Sequence, residues 1–124
     1  MAARRVLFVE ISTGGVLGGS LTGILPTMDH LDRSRFVPSL ALFEPKGIEA
    51  DLVARGIPVH VLGNLPHPLA AVHPSRLGRA IVRTHDLFAS VRPRARALAT
   101  LYRRERPAVV YLANGLTSVL PGVI

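Results

Sequence analysis

Short apolar runs alternate with longer amphipathic segments along most of the chain. Four of the runs are brief and rich in β-branched or aromatic residues, which is typical of strands that are buried on both faces. They predict strands at residues 5–10, 36–43, 57–62 and 108–112. Pro38 lies near the start of the second run, where the lack of an N–H group disturbs a sheet least.

The first amphipathic segment begins at Ser20, directly after a glycine-rich stretch. Its apolar residues recur every three or four positions, as on one face of a helix, and Ser20 or Thr22 is a suitable N-cap. Pro26 lies inside this pattern, so we expect the helix either to bend there or to begin later. The apolar face consists of Leu21, Ile24, Leu25, Met28 and Leu31.

Further helices are predicted between the later strands. Residues 48–55 form a short one that ends at Gly56, a residue suited to the left-handed conformation that follows a helix. Residues 75–90 form another, and Pro93 is suited to the first turn of the next. The buried side of that helix is predicted to hold Ala95, Leu98, Ala99 and Tyr102, and residues 116–124 resemble the start of one more helix.

The resulting order of elements is β-α-β-α-β-α-α-β. Strands that alternate with helices predict a parallel sheet built from right-handed crossovers, with helices on both faces. We therefore predict one α/β domain over residues 1–124, with a Rossmann-like sheet and the strand order 3-2-1-4.

The composition excludes several kinds of functional site. Apolar residues make up 48% of the 124 positions and cysteine is absent, so a packed core is expected and disulfides, thiolate zinc sites and cysteine nucleophiles are excluded. The five histidines have no metal-ligand spacing, and we expect neither a metal nor a cofactor. Glycine and proline interrupt the long uncharged stretch at residues 107–124, so we expect a cytoplasmic protein without a membrane span.

The formal net charge of +7 comes entirely from residues 76–106, which hold nine arginines against Asp86 and Glu105. Such a segment favours binding to an anionic partner, although a solvated helix surface has the same pattern. We expect attachment to the inner face of an anionic membrane. The candidate residues are Arg76, Arg79, Arg83, Arg92, Arg94 and Arg96.

A glycine cluster follows the first predicted strand and precedes the first predicted helix. Backbone N–H groups at such a junction favour a phosphate or another anion, whereas the alternative is a plain surface turn. Thr13 and Val16 stand where the dinucleotide fingerprint needs glycine, and no lysine completes a P-loop. The candidate ligand-binding residues are Gly14, Gly15, Gly18, Gly19 and Ser20.

Five segments in this order resemble the N-terminal domain of family 4 glycosyltransferases. They are RVLFVE, then GGS at residues 18–20, then HLDRSRF leading into a strand that ends LFEPKG, then ARGIPVHVL, and finally RRERPAVVYLAN. The resemblance covers residues 5–114. It implies the GT-B fold, in which two Rossmann-like halves face a cleft, and transfer of a sugar from a nucleotide donor with retention at the anomeric carbon.

The resemblance also implies roles for particular residues. Gly18, Gly19 and Ser20 would border the donor phosphates, and Asn114 would face the same cleft. Tyr111 and Ala113 stand where family members commonly carry a histidine. No residue here corresponds to the paired glutamates of the family's second half, so we assign no catalytic residue. We expect a fragment, a truncated product or one half of a split enzyme.

The expected partner is thus a sugar acceptor, which in one interpretation is linked to a lipid. A nucleotide sugar is expected to bind only when a second domain or chain is present. One alternative is the dinucleotide-binding half of an oxidoreductase, with Glu44 as the ribose ligand. Another is a basic, non-catalytic module. Nucleic acid is a poor partner for it, because its basic segment offers only Phe88 and Tyr102 for stacking.

Overall fold

The computed structural model describes residues 2–10, 19–62 and 92–113. These residues form an open, four-stranded, all-parallel sheet with the spatial order β3-β2-β1-β4, so the predicted α/β class and strand order are confirmed. The elements are β1 (Arg4–Glu10), α1 (Gly19–Asp29), β2 (Phe36–Leu42), α2 (Glu49–Ala54), β3 (Val59–Val61), α3 (Arg92–Glu105) and β4 (Val109–Leu112). The helices predicted at residues 75–90 and 116–124 lie outside the described residues.

The two inner strands, β1 and β2, form the centre of the sheet. They pair along seven residues, from Arg4 opposite Phe36 to Glu10 opposite Leu42. Strand β3 pairs only with the last part of β2, beginning at Leu40, so Pro38 lies before the stretch of β2 that has neighbours on both sides. The position of Pro38 is as the sequence predicts, because its missing donor falls where the sheet is narrower.

Helices cover both faces of the sheet. On one face, Val6 and Phe8 of β1 pack with residues of α1 and α2. On the other face, Leu7 and Val9 pack with Leu98 and Leu101 of α3. This alternation follows from the period of two along a strand, and it buries all of β1 from Val6 onward.

Helix α1 begins at Gly19 and runs through Pro26, so the expectation of a later start is wrong. Leu21, Ile24 and Met28 are buried against the sheet, as the apolar spacing predicts. A proline inside a helix removes one backbone hydrogen bond, and the three buried side chains hold the helix in place despite that loss.

Helix α2 ends in a Schellman motif. The Gly56 N–H donates to the Val53 carbonyl at 3.0 Å, and the Ile57 N–H donates to the Leu52 carbonyl at 2.9 Å. Gly56 has φ of +80°, which confirms its predicted left-handed conformation. Leu52 and Ile57 are both fully buried, so the motif also turns the chain back into the core.

Two glycine substitutions are expected to change stability in opposite directions. A Cβ at Gly23 or at Gly56 would meet nothing within 4 Å, so only the backbone conformation distinguishes the two positions. Gly23→Ala, inside α1, should stabilise the fold by about 0.5–1 kcal/mol, because alanine loses less backbone entropy. Gly56→Ala should destabilise it by about 1–2 kcal/mol because of the left-handed conformation. Urea titration measures both, and equal shifts would contradict this account.

Helix α3 buries part of the predicted face, together with two residues that were not predicted. Its most buried residues are Arg94, Leu98 and Leu101, whereas Ala95, Ala99 and Tyr102 are only half-buried. The prediction is confirmed for Leu98, and Tyr102 packs against the same core. The burial of Arg94 and Leu101 was not predicted. The helix ends before Arg106, which has φ of +47°, a conformation that glycine usually supplies.

Candidate binding site at the carboxyl edge of the sheet

Strands β1, β2 and β4 end at one edge of the sheet, and α3 begins there because it runs back into β4. The chain moves from β1 outward to β2 and β3, and then returns to place β4 on the other side of β1. In open α/β sheets, ligands bind at the carboxyl edge, where the strand order reverses in this way. The charged residues at this edge are therefore the candidates for a binding site.

Glu10 and Lys46 form a buried ion pair at this edge. Glu10 is the last residue of β1, and its Oε2 lies 3.9 Å from the Lys46 Nζ, with both side chains completely shielded from solvent. Removing two charges from water costs more than such a pair usually returns, so the fold gains little from it. Buried, paired charges at a ligand-binding edge are typical of functional sites.

The loop after β2 holds Lys46 in place. The Lys46 N–H donates to Oε1 of Glu49, the first residue of α2. Burial raises the pKa of Glu49, whereas hydrogen bonds from four backbone N–H groups lower it. The hydrogen bonds together have the larger effect, so the net pKa is below the ordinary value. The donors are Lys46, Gly47, Ile48 and Glu49. Gly47 has φ of +82°, which lets the chain turn between Lys46 and α2. The backbone at Lys46 is thus fixed from both sides.

Arg94 occupies the same edge, at the start of α3. Its guanidinium carbon lies 5.6 Å from the centre of the Phe43 ring, and the residue is 6% exposed. Burial lowers the pKa of Arg94, and the nearby Glu44 carboxylate raises it in part. Arg94 therefore does not lie with Arg92 and Arg96 on the exposed surface, which corrects its assignment to the anion-binding stripe. The cation–π contact with the Phe43 ring and the attraction of Glu44 stabilise the buried guanidinium.

The structure locates only some of the predicted site residues. Gly19 and Ser20 form the first turn of α1, and Arg92 and Arg96 lie exposed on α3. The remaining candidates lie outside the described residues: Gly14, Gly15, Gly18, Asn114, Arg76, Arg79 and Arg83.

Glu10 and Lys46 were not predicted as site residues from the sequence. Glu10 closes an apolar strand, and a carboxylate at the end of a buried strand was the available signal. Nothing near Lys46 in the sequence pointed to burial, since the residue stands in a turn rich in charge, proline and glycine.

A second polar network crosses the α3 face of the sheet. Arg5 Nη1 donates to the Glu105 carbonyl at 2.9 Å, and Arg104 Nε lies 3.1 Å from the Glu105 carboxylate. Arg104 Nη2 donates to the His60 Nδ1 at 3.3 Å. This network ties β1 and β3 to the end of α3, which is a structural role.

His60 is expected to make the protein less stable in mild acid. Burial lowers the pKa of His60 below its ordinary value of about 6.5; Glu105 raises it and Arg104 lowers it. The folded state thus favours neutral His60, and this stability is present above about pH 6.5 and lost as the pH falls below it. Urea titrations at pH 7.5 and 5.5 should show a smaller loss for His60→Gln than for the wild type. Equal losses would contradict this role.

The described part of the chain contains no cluster of side chains that could hold a metal ion. None of its helices combines the length and apolar character that a membrane crossing requires. No family model, curated protein or solved structure matches this chain.

Proposed function

We propose that the chain is the acceptor-side half of a retaining glycosyltransferase with two Rossmann-like halves. The observation that carries the proposal is the charged carboxyl edge, where Glu10, Lys46 and Arg94 are buried at the reversal of strand order. The resemblance of residues 5–114 to family 4 glycosyltransferases supports the same edge as the cleft. The role proposed for these residues is acceptor binding, and sugar transfer would also require a second Rossmann-like half.

The position of Glu44 counts against the dinucleotide alternative. That alternative needs an acidic residue at the end of the second strand to accept hydrogen bonds from a ribose. Glu44 instead lies close enough to Arg94 to offset part of the fall that burial causes in the pKa of Arg94. A ribose would therefore compete with a buried guanidinium for the carboxylate.

Ligand titration of the ¹⁵N-labelled chain tests this function. A panel of glycans and lipid-linked sugars in detergent should include one that shifts the amide resonances of Glu10, Phe43 and Lys46 in a saturable way. NAD should shift none of them. Saturable NAD binding with shifts at Glu44 would favour the oxidoreductase alternative, and a panel without any binder would overturn the acceptor role.

Glycine variants connect the binding to the loop before α1. Gly18→Val and Gly19→Val add side chains where a close approach of backbone to ligand is proposed, so both should weaken sugar binding. Gly23→Ala, which has open space around its Cβ, is the matched control and should bind as the wild type does. Unchanged sugar binding in both valine variants would mean that the loop does not contact the ligand.

We also propose that the basic segment attaches the chain to an anionic membrane. On α3, Arg92, Arg96 and Arg103 are exposed along one side of the helix. Each arginine near an anionic leaflet contributes roughly 1 kcal/mol, so three or four suffice for reversible binding. The attraction is screened over about 8–10 Å at physiological salt and must weaken as salt rises.

Vesicle co-sedimentation is expected to separate this attachment from a solvated surface. Binding to anionic vesicles should fall for Arg76→Glu/Arg79→Glu/Arg83→Glu and for Arg92→Glu/Arg96→Glu. The control, Arg55→Glu, changes an exposed arginine at the end of α2, outside the basic segment, and should lose much less. Equal binding to neutral vesicles, or no binding to anionic vesicles at low salt, would contradict the attachment.

A further inference from the structure

A shallow pocket of about 90 Å³ opens at the amino edge of the sheet, opposite the carboxyl edge. Two arginines line it, together with a hydroxyl group and one aromatic ring. The lining residues are Ala2, Arg4, Ser34, Arg35 and Phe36. None of them takes part in the proposed sugar site, so the pocket can be considered independently of it.

The sheet holds the two arginines next to each other. Arg4 is the first residue of β1 and lies opposite Phe36, while its N–H donates to the Arg35 carbonyl at 2.8 Å. The Arg35 guanidinium carbon lies 5.4 Å from the centre of the Phe36 ring. This contact holds the Arg35 guanidinium near the ring, and its N–H groups can donate to a ligand.

The charge around the pocket is unbalanced. Among the residues that the structure describes, Arg4, Arg33 and Arg35 form no ion pair, and Glu105 is taken by Arg5 and Arg104. Asp32 is the acidic residue of the loop. It accepts hydrogen bonds from the Ser34 hydroxyl and N–H, which lower its pKa, and it also attracts Arg35. Three arginines against one aspartate leave an excess of two positive charges.

We propose that this pocket binds a phosphate dianion, either free or as a monoester, between the guanidinium groups of Arg4 and Arg35. Two negative charges match the local excess, and guanidinium groups donate to phosphate oxygens in pairs. The pocket volume accommodates one phosphate group. The remainder of a monoester would extend into solvent.

Calorimetric titration of the full chain with inorganic phosphate tests the proposal. The wild type should bind one phosphate in a saturable way. Arg4→Gln/Arg35→Gln should bind at least about tenfold more weakly, because it removes both charged donors from the pocket. Arg55→Gln removes an exposed arginine that belongs to neither proposed binding surface and should retain the affinity. A wild type that does not saturate, or a control that loses as much as the pocket variant, would overturn the proposal.

A vesicle experiment distinguishes a lipid headgroup from a soluble phosphate. Phosphatidic acid carries a phosphate monoester, whereas phosphatidylserine at equal negative surface charge carries a diester. Preference for phosphatidic acid that is lost in Arg4→Gln/Arg35→Gln identifies the lipid source. Equal binding to both vesicles, together with saturable inorganic phosphate, identifies the soluble one. Because sugar binding is measured at the opposite edge, failure of either proposal leaves the other standing.

Discussion

Leu40→Ala is expected to lower the free energy of unfolding by about 2–5 kcal/mol. Leu40 lies on the inner strand β2, is completely buried, and packs among residues of β1, α1 and α2. Truncation would leave a cavity at the centre of that core, which cannot close without moving the sheet. Urea denaturation followed by circular dichroism measures the loss.

Val37→Ala, on the same strand, is the matched control. Val37 is 39% exposed, so its substitution should cost less than about 1 kcal/mol. A similar loss for both variants would mean that β2 does not lie between the two helical layers.

Lys46→Met is expected to destabilise the fold by about 3–5 kcal/mol, because Lys46 is one partner of a buried ion pair. The change removes the cation that faces Glu10 while leaving the Glu10 carboxylate shielded from solvent. The cost comes from desolvated charge, so it should be recovered when the charge is removed as well. Glu10→Gln/Lys46→Met should therefore be much more stable than Lys46→Met.

Arg55 provides the control for the buried pair. It forms ion pairs with Asp29 and Asp51, but all three side chains are substantially exposed. Arg55→Met should cost far less than Lys46→Met, because solvent screens exposed ion pairs. If Arg55→Met and Lys46→Met were equally destabilising, or if Glu10→Gln restored nothing, burial of the Glu10–Lys46 pair would not be the cause.

The alternation of apolar runs with amphipathic segments was enough to predict the architecture. Apolar runs located all four strands, and alternation with helices predicted their parallel order. Gly56 was identified because few residues other than glycine adopt its conformation. These features depend on local preferences, which the sequence displays directly.

The candidate site was predicted far less well, because it depends on contacts between distant segments. Arg94 was assigned to an exposed stripe by its spacing, and only the packing of α3 against Phe43 shows that it is buried. The pairing of Glu10 with Lys46 likewise follows from the arrangement of two neighbouring strands. Neither contact leaves a periodic trace in the sequence.

The central position of β1 has a kinetic consequence. Its pairing with β2 closes a short loop, whereas its pairing with β4 joins segments roughly a hundred residues apart, and such contacts form slowly. Strands β1, β2 and β3 should therefore pair first, and β4 should add to the sheet late. Mutations in β4 would then accelerate unfolding while leaving the folding rate almost unchanged.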